Sequence, residues 1–177
     1  MKQTFLMLII ASFLLSSCAN PNKQYGQNDE SIMDSNNNSV QKSFWDCSFG
    51  NSWEEVINKL SKEGFKNVDI NRNHSLIAIE NMSFNGSLFD YATFFFDSND
   101  KFNLISFHST YDNYKEANES FDNIKDKYPF KLVQSDDKYK FRYEYSDGDN
   151  TCEFFVYDNN DSTYLAKLMY KNNKLNN

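Results

Sequence analysis

The chain has little of what enzymes and nucleic-acid-binding proteins usually display. It has no basic excess: Lys+Arg number 18 against 25 Asp+Glu, a formal net charge of -7. The lysines are interspersed with Asp and Glu, so no basic stripe forms. That argues against nucleic acid and against electrostatic docking on anionic lipid. Histidine is scarce, with only 2, His74 and His108. Neither lies at a spacing that suits zinc, and no glycine-rich phosphate loop or Gly-x-Ser-x-Gly elbow occurs. Carboxylates are plentiful, but sequence does not place two of them across a cleft, so glycosidase chemistry gains no support. No cofactor and no metal is assigned, and the chain reads as not an enzyme.

Long apolar runs are also missing. Phe5 to Leu15 is the apolar stretch, broken only by Ser12. It is about half of the ~20 residues that a spanning helix needs. Lys2 precedes it, and the small residues Ser16 and Ser17 follow, closing on Cys18. Charge, apolar core and small-residue cleavage site are the three parts of a secretory leader. The order Leu15-Ser16-Ser17-Cys18 resembles the lipobox of bacterial lipoproteins. The resemblance implies that Cys18 is thioether-linked to diacylglycerol and becomes the mature N-terminus. Several acyl chains, at ~0.8 kcal/mol per buried methylene, would hold it on the membrane permanently.

With Cys18 acylated, 2 of the 3 cysteines remain, Cys47 and Cys152. In an exported protein they could pair as a disulfide, or stay as buried thiols. No neighbouring His or Asn marks either as a nucleophile. Residues 19–43 are rich in Asn, Gln, Ser and Asp and bury too little to offset their ordering entropy, which predicts a disordered tether. No acidic cluster follows Cys18, which leans toward a periplasm-facing anchor over the cell surface.

Beyond the tether, aromatic residues make up 17% of the chain and cluster in short alternating runs, a β-rich signature. Phe44 to Phe49 opens the domain. Ser52-Trp53-Glu54-Glu55 fits a capping box, and Trp53, Val56, Ile57 and Leu60 form one helical stripe ending at Gly64. Strands are expected at 66–70, 76–80, 88–96 and 102–108, with Asn85-Gly86 as a hairpin turn. A second helix is expected over 111–128, on the seam Tyr114, Ala117, Phe121, Ile124 and Tyr128, ended by Pro129. Strands return at 130–134, 139–145, 152–157 and 164–170, with Asp147-Gly148 as a turn. The runs Asp97-Ser98-Asn99-Asp100 and Asp158-Asn159-Asn160-Asp161 look like the start of a calcium loop. Both lack its central Gly and closing Glu and read as turns.

The two halves rhyme, Thr93 to Asp100 with Glu153 to Asp161. The fold expected is α+β: two helix-plus-antiparallel-sheet units, each of one helix and three to four strands, packed together behind a signal peptide and a tether. The boundaries are 1–17 for the leader, 18–43 for the lipidated N-terminus and tether, 44–110 and 111–171 for the units, and 172–177 for a frayed tail. Phe49-Gly50-Asn51-Ser52-Trp53-Glu54-Glu55-Val56 resembles the first-helix motif of small bacterial lipoproteins of the BamE/SmpA type. The wider group shares the tandem helix-plus-sheet fold of β-lactamase-inhibitor proteins. The resemblance implies binding of other proteins through sheet and loop surfaces, without catalysis.

Aromatic residues are the feature with binding potential. Phe141, Tyr143 and Tyr145 share one strand face, with Arg142 and Glu144 on the other. Tyr164 and Tyr170 point with Ala166 and Leu168. If helices cover one face of the sheet, the other could show tyrosines to solvent, for protein contact or for stacking on sugars. Filling the core is the competing fate of those rings, and the commoner one. The candidate binding residues are Tyr143, Tyr145, Tyr164 and Tyr170. The expected function is a lipid-anchored cell-envelope protein acting by protein–protein interaction, with binding of a glycan or small ligand as the alternative.

Overall fold

The computed structural model describes residues 39–65 and 68–175; the leader, Cys18 and most of the expected tether lie outside them. The described chain opens with a small ribbon, β1 (Ser43–Phe44) against β2 (Cys47–Ser48). Its turn places Trp45 and Asp46 at φ 47 and 61, a left-handed conformation that costs free energy for residues with a Cβ. Burial of the Trp45 indole, only 5% exposed, offsets that cost. The ring lies against Phe65, Phe84, Phe94 and Phe107.

Helix α1 (Trp53–Lys62) starts at the capping box. Ser52 Oγ accepts from the Glu55 N–H at 3.3 Å, and the Glu55 carboxylate accepts from the Ser52 N–H at 2.6 Å. Those bonds hold the Glu55 carboxyl below its ordinary range. Trp53, Val56 and Leu60 are its buried stripe, and Gly64 at φ 85 turns the chain out of it. Strand β3 (Val68–Asn71) follows, then a 3-10 turn at Arg72–His74, β4 (Leu76–Phe84), β5 (Ser87–Phe96) and β6 (Phe102–Tyr111). Asn85 and Gly86, at φ 53 and 78, supply the paired positive angles of a tight hairpin turn between β4 and β5.

The second helix is shorter than the apolar seam predicts. Tyr111 is the last residue of β6, and helix resumes only as α2 (Tyr114–Glu119) and α3 (Asp122–Lys125). Asn113 caps α2 by accepting from the Glu116 N–H, and Ser120 Oγ donates back to the Ala117 carbonyl. Phe121 breaks the helix at φ -102, ψ 3, and its ring enters the core against Phe154. The seam still faces inward, with Ala117, Phe121 and Ile124 fully buried. Strands β7 (Lys131–Gln134), β8 (Tyr139–Ser146), β9 (Asn150–Asp158) and β10 (Tyr164–Asn172) complete the chain.

The expected α+β pair of helix-plus-sheet units is corrected by this arrangement. The protein is mostly β, built on one 8-stranded antiparallel sheet of order β3-β4-β5-β6-β10-β9-β8-β7, beside the small ribbon. The reason is the pairing of β6 with β10. They run in register from Tyr164 opposite Tyr111 to Lys171 opposite Leu104, so the last strands of the two halves close each other's edges. Two units with separate sheets would leave those edges open.

All described helices and the ribbon cover one face of the sheet. Phe44, fully buried, joins the halves, its ring 5.8 Å from Phe84, 6.3 Å from Phe107 and 5.1 Å from Tyr170. Ser39–Ser43, read from sequence as tether, are held here. The Val40 N–H donates to Asp147 at 2.8 Å, and the Gln41 N–H to the Tyr128 hydroxyl at 3.1 Å. The tail read as frayed is bonded through Leu175; Asn173, for example, donates to the Asp149 carbonyl at 2.8 Å.

Candidate binding faces of the sheet

Alternation along a strand sends neighbours to opposite faces, and β9 divides cleanly. Cys152, Phe154 and Val156 point under the helices and are at most 2% exposed. Glu153, Phe155 and Tyr157 point to the face that no described element covers. Register aligns this open face in rows. One row runs Thr93, Ser106, Met169, Glu153, Glu144 across β5, β6, β10, β9 and β8. The next runs Tyr91, His108, Lys167, Phe155, Arg142.

The first row is a floor. Thr93 is 7% and Ser106 1% exposed because they are short and stand between taller neighbours. Phe95, Leu104 and Lys171 rise on one side, and the aromatic and basic row rises on the other. In that second row, Tyr91 stacks on His108 at 5.2 Å and 21°. Tyr139, placed on this face by a register shift in β8, meets Phe155 and Tyr157 edge-on at 5.5 Å each. Lys138 Nζ sits 5.2 Å over the Tyr157 ring.

One charge pair on this face is close and partly desolvated. Glu153 Oε2 accepts from Arg142 Nη2 at 2.6 Å and Nε at 2.7 Å. The Glu153 side chain is 12% exposed. Burial lowers the Lys167 ammonium pKa from its ordinary value, with Glu153 opposing. Burial also lowers the His108 imidazole; Lys167 reinforces the effect and Asp90 opposes it. Held rings, a paired charge and a short-side-chain floor make a surface with little to reorganise on contact.

The four tyrosines singled out from sequence lie on the covered face. Tyr170 is fully buried. Tyr145 stacks on Tyr128 at 5.3 Å, and Tyr164 meets Tyr114 edge-on at 5.9 Å. Tyr143 stacks on Phe154 at 5.3 Å and lines a groove on that side. The sequence analysis singles out neither Tyr91, Phe155 nor Lys167, and considers His108 only as a zinc ligand; what places the four together is the register of β5, β6, β10 and β9.

Cys47 and Cys152 are both buried as free thiols. Burial pushes Cys47 up to about 12 and Cys152 upward as well, which leaves neither as a thiolate nucleophile. The calcium-like turns use their own carboxylates. Asp97 Oδ1 accepts from the Asn99 and Lys101 N–H groups, and Asp158 Oδ1 from Asn160. Among the described residues no group of three or more His, Cys, Asp or Glu could hold a metal ion, and no helix is long and apolar enough to cross a membrane. No protein-family model matches this chain, and no curated protein or solved structure matches it.

Proposed function

We propose that this protein is a non-enzymatic, lipid-anchored component of the bacterial cell envelope that binds another protein through the open face of its sheet. The observation that carries the reading is the row Tyr91, His108, Lys167, Phe155, Arg142, on the face that no described element covers, with its floor of Thr93 and Ser106. Aromatic and arginine side chains around a desolvated centre are the composition of an interface. The Arg142–Glu153 pair supplies polar register without an unpaired charge. The lipobox order Leu15-Ser16-Ser17-Cys18 supports the anchor.

In-cell crosslinking of the tagged full chain, followed by membrane pull-down, tests the reading. Wild type should capture a discrete envelope protein, and Phe155→Ala and Cys18→Ala should lose it. A blank from wild type that still fractionates with membrane contradicts the proposal.

A further inference from the structure

The covered face is not closed everywhere. Over β3–β6 the ribbon and the ten-residue helix α1 drive Phe44, Trp45 and Trp53 into the core. Over β7–β9 the described helices are shorter, α2 of 6 residues and α3 of 4, and the rings that enter the core there are Phe121 and Phe130, both against Phe154. A groove of about 690 Å³ remains between α2–α3 and β7–β8. Its aromatic lining is Tyr114, Tyr128, Phe130, Phe141, Tyr143 and Phe154. On its rim, Leu132 is 54% and Tyr114 41% exposed.

The wall is rigid. Tyr143 lies flat on Phe154 at 19°, and Tyr114 is held edge-on between Phe141 and Tyr164, at 6.4 and 5.9 Å. The groove's cations are already neutralised. Lys125 Nζ is 2.9 Å from Asp122 and also donates to the Asn118 carbonyl and side-chain oxygen. Lys140 Nζ is 3.2 Å from Asp158 and donates to the Asp137 carbonyl. With the whole chain at -7, the groove offers an anion no net attraction. The Tyr114 and Tyr143 hydroxyls have no hydrogen-bond partner among the described residues. A purely apolar ligand would leave those hydroxyls unpaired. An added peptide strand is disfavoured too: β7 is four residues long, and its register shifts between Leu132 and Gln134.

The geometry points to a binding site for an uncharged saccharide in this groove, separate from the open face. A sugar ring presents C–H groups on its faces and hydroxyls at its edges. The faces lie on Tyr143 and Tyr114; the edge hydroxyls bond to the tyrosine hydroxyls and to Asn118 and Ser135 at the rim. The volume is within the range of ligand sites that are largely preformed.

Calorimetric titration of the full-length protein in detergent tests this, using an N-acetylglucosamine oligomer and a maltodextrin as neutral probes and an oligogalacturonate as the anionic one. At least one neutral probe should bind saturably and the anionic probe should not. Tyr143→Ala and, independently, the more exposed Tyr114→Ala should each weaken binding roughly tenfold. Tyr143→Phe, which keeps the stacking ring, should lose less, and Phe155→Ala on the open face should change nothing. Absence of binding by both neutral probes, equal binding of the anionic probe, or binding unchanged in both alanine variants would overturn the inference.

Discussion

Phe154 and Phe155 are neighbours on one strand with opposite surroundings. Phe154 is 2% exposed among the rings of Phe121, Phe130, Phe141 and Tyr143. Phe155 is half-buried, on a face that no described element covers, with Tyr139 against its edge. The covered face is filled almost wholly by rings and aliphatic side chains. The open face mixes rings with Arg142, Glu153, Lys167 and His108. The same pleat therefore has two characters: one side supplies the burial that holds the sheet together, and the other carries the mixed rings and charges on which we propose the partner binds.

Substitutions on the two faces should separate stability from binding. Phe154→Ala should cost about 3–5 kcal/mol in urea unfolding, the range for a truncated core ring. Phe44→Ala belongs in the same range, because its ring touches residues of both halves. A loss for either variant no larger than for an exposed residue would mean that the covered face does not hold the sheet together.

Alkaline pH should probe both faces with opposite signs. On the covered face, burial raises Cys47 from 9.0 to about 12 and Tyr128 from 10.0 to about 12. The unfolded chain loses these protons first, so stability falls as pH rises from about 9 toward 12. On the open face, burial lowers Lys167 from 10.5, so the native state loses that proton first and stability rises as its folded pKa is crossed. Urea midpoints across this interval should fall overall, and more steeply in Lys167→Met.

Arg142→Leu leaves the Glu153 carboxylate without its partner at 12% exposure. Because Arg142 is itself 34% exposed, the expected cost is about 1–2 kcal/mol, below that of a fully buried pair. Adding Glu153→Gln should recover part of it. The smallest expected effect is that of Phe155→Ala, roughly 1 kcal/mol or less, together with loss of partner capture.

Local chemistry made most of the elements legible. The capping box at Ser52 and Glu55, the Asn85-Gly86 turn and the alternating runs place α1 and most strands near their observed positions, although β4 and β6 run on past the expected 80 and 108 to Phe84 and Tyr111. What was hidden depends on distant pairing. Nothing near Tyr111 or Tyr164 says that these residues will face each other, yet their pairing merges the halves into one sheet. The seam from Tyr114 to Tyr128 has helical spacing throughout, but a three-four repeat does not register Ser120 bonding back to Ala117 or the turn at Phe121. Alternation separated Tyr143 and Tyr145 from Arg142 and Glu144. Which set the helices would cover was not written in β8 itself; it depended on where Phe121 and Phe44 pack.

The most direct measurement is in-cell photo-crosslinking from a single photoreactive residue placed at position 155 or, separately, at position 143, in the otherwise native full-length protein. The expected result is a discrete adduct with an envelope protein from position 155 and none from position 143. An adduct confined to position 143, or equal yield from both, would contradict the claim that the open face is where this protein meets its partner.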